Sequence, residues 1–274
     1  MNINNKQPKS VANQWEDALK SQGYEHSIKN KDDCRRIKKF SRVWRRILKY
    51  IPENIRSAEN KSVFEFGCGG GKHLAQFLLN GWQIAGIDCS PEVLRRAQNY
   101  LQEVKQVCEC RKNFDLIYGD FLDYENNSQY DIVFNSGVIE HFLNDGEREK
   151  ALKKMFEIAK NGGYVISIVP SGMHPIRQKM KEEKLGGYGI PEVDYTPEIM
   201  ENEMRRCGGK DILVLPHNIM GYRAIDDKKG VLILIDLFLY YIFQIIPAGF
   251  LPKWFAYRHA MTLIGIAKND YEKF

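Results

Sequence analysis

No apolar stretch stands at the amino end of this sequence: MNINNKQPKSVANQWEDALK is polar throughout. A secretory leader needs an apolar core there, so a cytoplasmic protein is expected. Cysteine is sparse as well. Cys34, Cys68, Cys89, Cys108, Cys110 and Cys207 are six thiols in 274 residues, too dilute for a disulfide scaffold, and free thiols in a reducing compartment are expected. Cys108-x-Cys110 lacks both zinc-knuckle spacing and a partner pair. Excess charge of one sign is small too. Forty Lys and Arg against 35 Asp and Glu leave a net +5, which does not by itself argue for nucleic acid. No internal repeat or low-complexity segment occurs. The composition, 43% hydrophobic and 27% charged, is that of a globular chain long enough for one large domain or two small ones.

What is present is alternation. KSVFEF (61–66), WQIAGID (82–88), FDLIYGD (114–120), YDIVFNS (130–136) and YVISIVP (164–170) read as strands. Between them lie KHLAQFLLN, then a helix opened by Ser90-Pro91 as N-cap and first-turn proline, and EREKALKKMFEIAK (147–160), which is expected to stop at Asn161-Gly162-Gly163. Strand and helix in turn predict a mostly parallel sheet with helices on both faces. Ligands of such sheets bind beyond the carboxyl ends of the strands, where the strand order reverses. The first strand runs into FEFGCGGGKHLAQ, with four glycines in five positions. Glycine is entropically costly, so this backbone must turn tightly and be approached closely. A dinucleotide fingerprint would need its third glycine at position 72, which is Lys72; the spacing present is Glu65-x-Gly67-x-Gly69-x-Gly71.

The glycine loop, followed by GIDCSPEVLRRA, GDF, NSGVIEHF and NGGYVISIVP, resembles the class I S-adenosylmethionine-dependent methyltransferases over residues 60 to 170. The resemblance implies a Rossmann-like, seven-stranded, mostly parallel α/β sheet with an antiparallel last strand. It also implies roles. Gly67, Cys68, Gly69 and Gly71 would let backbone approach the methionine part of S-adenosylmethionine. Asp88 would accept from both ribose hydroxyls, with Cys89 beside it, and an acceptor-only carboxylate suits such a diol. Asp120 would meet the adenine amino group, with Phe121 beside the ring. Asn135 would offer backbone near the methionine end, and Glu65 stands behind the loop. Two of these acids have plainer readings: Asp88 could cap the following helix, and Asp120 could be a turn residue.

A sulfonium methyl is already electrophilic, so alignment is the protein's main task, and a base matters only for a protonated acceptor. His73, His141, His174 and His217 are expected just beyond strand ends, with His73 on a helix start as part of the cofactor shell or as a structural residue. His141 and His174 are the candidate bases, each weighed against a structural histidine. Tyr188 and Arg177 are further polar candidates in the 172–195 insertion, whose Gly186-Gly187-Tyr188-Gly189 stretch reads as a mobile lid or substrate loop. No metal is expected, because Gly137-Val138-Ile139-Glu140-His141 lacks the first acid of a Glu-x-x-Glu-His run. Base methylation of nucleic acid is not expected either, since NSGV lacks the Asn/Asp-Pro-Pro-aromatic motif.

The flanks remain. Residues 32–51 place Ile37, Phe40, Trp44, Ile47, Leu48 and Ile51 on one helical face, with cations on the other. This reads as a cap over the cofactor cleft, or as a helix lying on anionic membrane. DILVLP (211–216) and MTLIGIAK (261–268) read as the last two strands, which the resemblance implies form an antiparallel edge pair. VLILIDLFLYYIFQIIPAGFL (231–251) touches the length of a membrane span, but Asp236 and Pro247 interrupt it, and the chain must return to the sheet. Core helix, apolar substrate wall, homodimer face and shallow peripheral membrane contact stay open for it. The implied division is a helical cap over 1–58, a cofactor core over 59–170, a substrate-side insertion over 171–260 and a final strand over 261–274. The expected activity is methyl transfer by direct in-line displacement to oxygen or nitrogen of a small-molecule or lipid-like metabolite. The alternatives are a nicotinamide-dependent oxidoreductase and a non-catalytic S-adenosylmethionine-binding protein.

Overall fold

A computed structural model describes residues 26–125, 128–183, 190–224, 231–246 and 248–270. Three short helices come first, α1 (Lys31–Lys38), α2 (Arg42–Ile47) and α3 (Glu53–Arg56). Alternation follows through β1 (Ser62–Phe66), α4 (Lys72–Leu79), β2 (Gln83–Asp88), α5 (Pro91–Val107) and β3 (Phe114–Tyr118). β4 (Tyr130–Ser136) leads through a 3-10 turn at Ile139–His141 into α6 (Asp145–Ile158) and β5 (Ala159–Pro170). The chain ends with α7 (Pro175–Glu182), α8 (Pro197–Arg206), β6 (Gly209–Ile219), α9 (Val231–Ile245), α10 (Lys253–Arg258) and β7 (Ala260–Asn269).

The seven strands form one sheet in the order β3-β2-β1-β4-β5-β7-β6. β1, β4 and β5 pair in parallel, as do β2 and β3. β7 lies between β5 and β6 and runs antiparallel to both, so the last strand alone is reversed. All five residues of β1 are buried, which is why SVFEF reads as a nearly continuous apolar run rather than an alternating one. The expected stop at Asn161-Gly162-Gly163 is not a helix end. α6 finishes at Ile158, and the glycines lie inside β5. Gly162 has φ 76°, and a Cβ on Gly163 would meet the Lys160 and Asp131 carbonyl oxygens at 2.9 and 3.0 Å. The pair makes a bulge where the β4–β5 register shifts.

The chain divides into two compact units, Met1–Lys39 with Gly67–Tyr124, and Phe40–Phe66 with Glu125–Phe274. In the first, Asn30 caps α1 by accepting from the Asp32 and Asp33 amides, both at 3.0 Å. Cys34 and Cys108 are joined as a disulfide, tying α1 to the end of α5. The expectation of free thiols throughout is therefore corrected: it rested on dilute cysteines and a reducing compartment, whereas the fold brings the Cα atoms of these two within 5.7 Å. In the second unit Trp44 is fully buried and meets Phe134 edge-on at 4.6 Å. The single helix expected over 32–51 is broken: Lys39 is extended at the end of α1, and Ser41 precedes α2. Ile47 and Ile51 join Trp44 in the core, while Ile37 and Phe40 do not.

Candidate active site

The glycine loop follows β1 and folds against β2. Gly67 and Cys68 both donate to the Ile87 carbonyl, at 2.9 and 3.1 Å. Gly67, Gly69 and Gly71 have φ of 64°, 51° and 75°, a region side chains disfavour. Their surroundings differ. A Cβ on Gly69 would meet nothing within 4 Å, whereas one on Gly71 would press Ala97 and Leu101 at 3.4 Å. Gly71 thus opens α4 and lets it pack on α5, while Gly69 presents bare backbone to open space. Asp88, at the end of β2, accepts from the Gly69 amide through Oδ2 at 2.9 Å and from the Ser90 amide through Oδ1 at 3.0 Å. Its carboxyl is pushed above the ordinary 3.8, burial outweighing the hydrogen bonds from the Ser90, Gly69 and Cys89 amides. The cap of α5 is Ser90, whose Oγ accepts from Val93, so Asp88 is not spent as a helix cap. A carboxylate has about four acceptor positions, so the amides leave it room to accept from a ribose hydroxyl.

Asp120 is exposed and accepts from the Leu122 amide at 2.9 Å, so it is a turn residue with a second oxygen to offer. Phe121 beside it is buried. Cys68 is buried, and a Cβ on Gly86 would strike its Cβ at 2.7 Å. Its thiol therefore packs on β2, leaving only backbone for a ligand. Cys89 is half-buried.

In the second unit, Glu65 and Asn135 are buried in β1 and β4. The Asn135 amide donates to Ser167 Oγ at 2.8 Å and approaches Met155 Sδ at 3.3 Å, so its side chain belongs to the core. β4 ends beside β1, with Asn135 in register with Phe66, and Phe66 runs directly into Gly67. The turn beyond β4 holds Glu140 and His141 against the strap 190–195. His141 Nδ1 is 3.1 Å from the Pro191 carbonyl oxygen. A carbonyl only accepts, so Nδ1 carries the proton and Nε2 the lone pair. Burial lowers the His141 pKa from 6.5, which keeps the imidazole neutral at pH 7. The Val193 amide donates to the Glu140 carbonyl at 2.7 Å. Arg177 is fully buried and pairs with Glu192 and Asp194, and Lys181 reaches Asp194 at 2.9 Å.

Residues 63–163 match the model of a methyltransferase domain. They form a methyltransferase domain. The ubiquinone biosynthesis O-methyltransferase of Nitrosomonas europaea is 30% identical to this chain over 118 residues, 43% of the chain and 47% of that protein. The chain spans about half the length of the curated relatives it matches. A SAM-dependent methyltransferase from Archaeoglobus fulgidus superposes with a TM-score of 0.54 at 16% identity, over 82% of this chain and 92% of that one. A Haemonchus contortus phosphoethanolamine N-methyltransferase, solved with S-adenosyl-L-methionine, gives 0.53 at 16% identity over 83% and 53%. At such identities the two structures speak for the fold. A dinucleotide reading of the methyltransferase domain is not favoured, since Lys72, where its third glycine would stand, is the first residue of α4.

Several expected roles around the methyltransferase domain do not survive. His174 is buried at 1% exposure and caps α7, Nδ1 accepting from the Ile176 amide at 3.1 Å. Its ring meets Tyr222 at a tilt and His259 edge-on, at 4.8 and 5.7 Å, so it is structural rather than a base. Arg177 is likewise spent on the strap. His217 lies within β6 rather than beyond a strand end, whereas His73 stands at the start of α4, as expected, and burial lowers each to about 4. The 172–195 insertion is pinned at both ends. A Cβ on Gly172 would meet Asp194 atoms from 2.5 Å, and its amide donates to the Tyr195 carbonyl at 2.8 Å. Tyr188 and its neighbouring glycines lie outside the described residues.

Residue-type reasoning missed what holds His141 in place. Arg148, 4% exposed, donates to the Phe142 carbonyl at 2.7 Å and to Glu203 at 2.9 Å, and the Tyr195 hydroxyl donates to Glu203 at 2.6 Å. A signal existed: helical spacing puts Arg148 on the same face as Ala151, Leu152 and Met155, where a lone cation needs a buried partner. Among the described residues Glu140, His141 and Glu192 place ligand-type atoms within 4.8 Å of one another. Arg177 already supplies the positive charge at Glu192. Glu140, fully buried with no hydrogen bond to Oε2 among the described residues, is pushed up to about 8, first by burial and then by the Glu192 charge. It is protonated at neutral pH.

Proposed function

We propose that this protein transfers a methyl group from S-adenosylmethionine to an oxygen or nitrogen of a small-molecule or lipid-like acceptor. One observation carries the reading: Asp88 at the end of β2 holds the Gly69 amide, so acceptor-only oxygens stand beside a loop whose open side carries no side chain. Gly67 and Gly69 would take the methionine part through backbone, and Asp88 the ribose hydroxyls. Asp120 would take the adenine amino group through the oxygen its turn does not use. Bound there, the cofactor supplies a methyl group on a positively charged sulfur, open to in-line attack.

The chain's own work is to orient an acceptor and take a proton when the acceptor is a hydroxyl or a protonated amine. His141 suits that. Its lone pair is on Nε2, it is neutral at pH 7, and the Pro191 carbonyl fixes its ring. Such a base contributes about 10²–10⁴-fold. Among the described residues Lys253 and Arg258 of α10 are exposed cations that follow the apolar α9, and that apolar surface supports a lipid-like acceptor over a nucleic acid. No metal step is needed: Arg177 fills the charge requirement at Glu192, and turnover should be equal with and without a chelator.

Incubating the protein with methyl-labelled S-adenosylmethionine and a metabolite extract tests the reading. Label is expected in a small or lipid-extractable product. Cofactor binding without any labelled product would leave a non-catalytic S-adenosylmethionine-binding protein. Binding of NAD in its place would overturn the methyltransferase reading altogether.

A further inference from the structure

Helix α9 has an unusual outer face. Its inner face is anchored: Asp236 is buried, and Phe243 packs on Phe255 at 5.5 Å, beside Ile219, Met220, Ala256 and Ala260. The opposite face of a surface helix should be polar. Here it presents Leu234, Phe238, Tyr241 and Ile245, one helical stripe, 67%, 64%, 59% and 81% exposed. The surface continues past the helix with Phe250 and Trp254, 83% and 69% exposed. Trp254 shares the outer face of α10 with exposed Arg258, one turn on. So many large apolar side chains in one stretch mark an interaction surface.

The described helix is shorter than a membrane span. Fifteen residues rise about 22 Å, against a hydrocarbon core of about 30 Å, and among the described residues no helix is long and apolar enough to cross a membrane. Charge selects the occupant. In α9 and α10 the acid is Asp236, which is buried, and the exposed charges are the cations Lys253 and Arg258. Both signs stand close by, since Glu198 and Glu201 of α8 act on Tyr257 of α10 alongside Arg46. Arg46 of α2 donates to the Pro216 carbonyl, and Tyr257 of α10 donates to the Val214 carbonyl at 2.7 Å on the same strand. The exposed Arg42 and Arg45 are on that helix α2. An aromatic and aliphatic face with cations at its rim fits an anionic headgroup layer. A second copy fits less well, because a two-fold pairing through this face would bring cationic rims together.

We propose that α9 and α10 dock the protein on an anionic phospholipid surface, with the stripe, Phe250 and Trp254 at the acyl boundary and Lys253 and Arg258 among the headgroups. This docking stands apart from the methyl-transfer reading, because vesicle binding is read without cofactor or acceptor. The full chain is sedimented with phosphatidylcholine vesicles, with or without phosphatidylserine. Binding is expected on the anionic vesicles and much weaker on the neutral ones, and it should fall with added salt. Phe238→Glu with Ile245→Glu should abolish it. Lys253→Gln or Arg258→Gln should each weaken it about fivefold on anionic vesicles. The variants change exposed side chains, and unchanged circular dichroism and melting would show that they fold. Three results would overturn the proposal: no binding by the unaltered chain, binding indifferent to Phe238→Glu with Ile245→Glu, or a stable dimer in light scattering that those substitutions dissociate.

Discussion

Replacing Asp88 tests the cofactor site most directly, and its structural setting yields two separable numbers. The carboxylate already accepts from Gly69 and Ser90 at 2.9 and 3.0 Å. Asp88→Ala leaves the amide of a positive-φ glycine without its acceptor, costing about 1–3 kcal/mol of stability. It also removes the paired contact proposed for the ribose hydroxyls. Charge-assisted hydrogen bonds contribute about 1.5–3 kcal/mol, so S-adenosylmethionine should bind about 10- to 150-fold more weakly. Asp88→Asn keeps one acceptor oxygen but turns a donor toward the second amide, so its stability should fall between the two. Because burial raises the Asp88 pKa, the unaltered protein should lose cofactor affinity on acidification at a higher pH than an exposed aspartate would. Calorimetry measures the affinity and urea unfolding the stability. If Asp88→Ala lowers stability yet leaves cofactor affinity untouched, the carboxylate is a loop clamp and the ribose assignment is wrong.

For His141, replacement by Gln should lower turnover on a hydroxyl acceptor by about 10²–10⁴-fold with cofactor affinity unchanged; because its pKa lies below 6.5, the rate should be level above neutrality and fall on the acid side. An unaffected rate would place the base elsewhere. The Cys34–Cys108 bridge closes a separation of 74 residues, so reduction or Cys108→Ser should cost about 4 kcal/mol, seen as a lower melting temperature; identical melting with and without reductant would show that the bridge does not form in solution. Glu140 supplies a pH test with a definite sign. Its folded pKa of about 8 lies above the ordinary 4.5, so the protein loses stability as pH rises from 4.5 to 8, by at most about 1.4 kcal/mol per unit. Glu140→Gln should flatten that slope, and equal slopes in urea titrations at several pH values would refute it.

The parallel sheet was legible because its signals are local. β1 is buried on both faces and reads as an apolar run, and Ser90-Pro91 marks the start of α5 through chemistry within four residues. Three readings failed where distant contacts decide. Residues 32–51 keep one helical period across Phe40, yet α1 and α2 are separate helices that belong to different units. Asn161-Gly162-Gly163 has the composition of a helix stop, and only the close approach of the Asp131 carbonyl shows it to be a bulge. Cys34 and Cys108 form their bridge because α1 lies against α5, which no spacing rule encodes.

The two histidines show how far a site can be read without a structure. His141 and His174 are the same residue type, each following a strand of the parallel set. What separates them is where their Nδ1 atoms bond. His174 bonds within its own chain segment, to the amide of Ile176, and it is followed by Pro175, as the caps Ser90 and Thr196 are followed by Pro91 and Pro197. Residue, proline, helix is one pattern used three times, so the capping role of His174 was available from sequence to a reader who allowed imidazole as a cap. His141 bonds to Pro191, 50 residues away, through a strap that Arg177 and Gly172 hold in place. No local pattern encodes that partner. Its tautomer follows from the fold alone, and with it the capacity of Nε2 to take a proton.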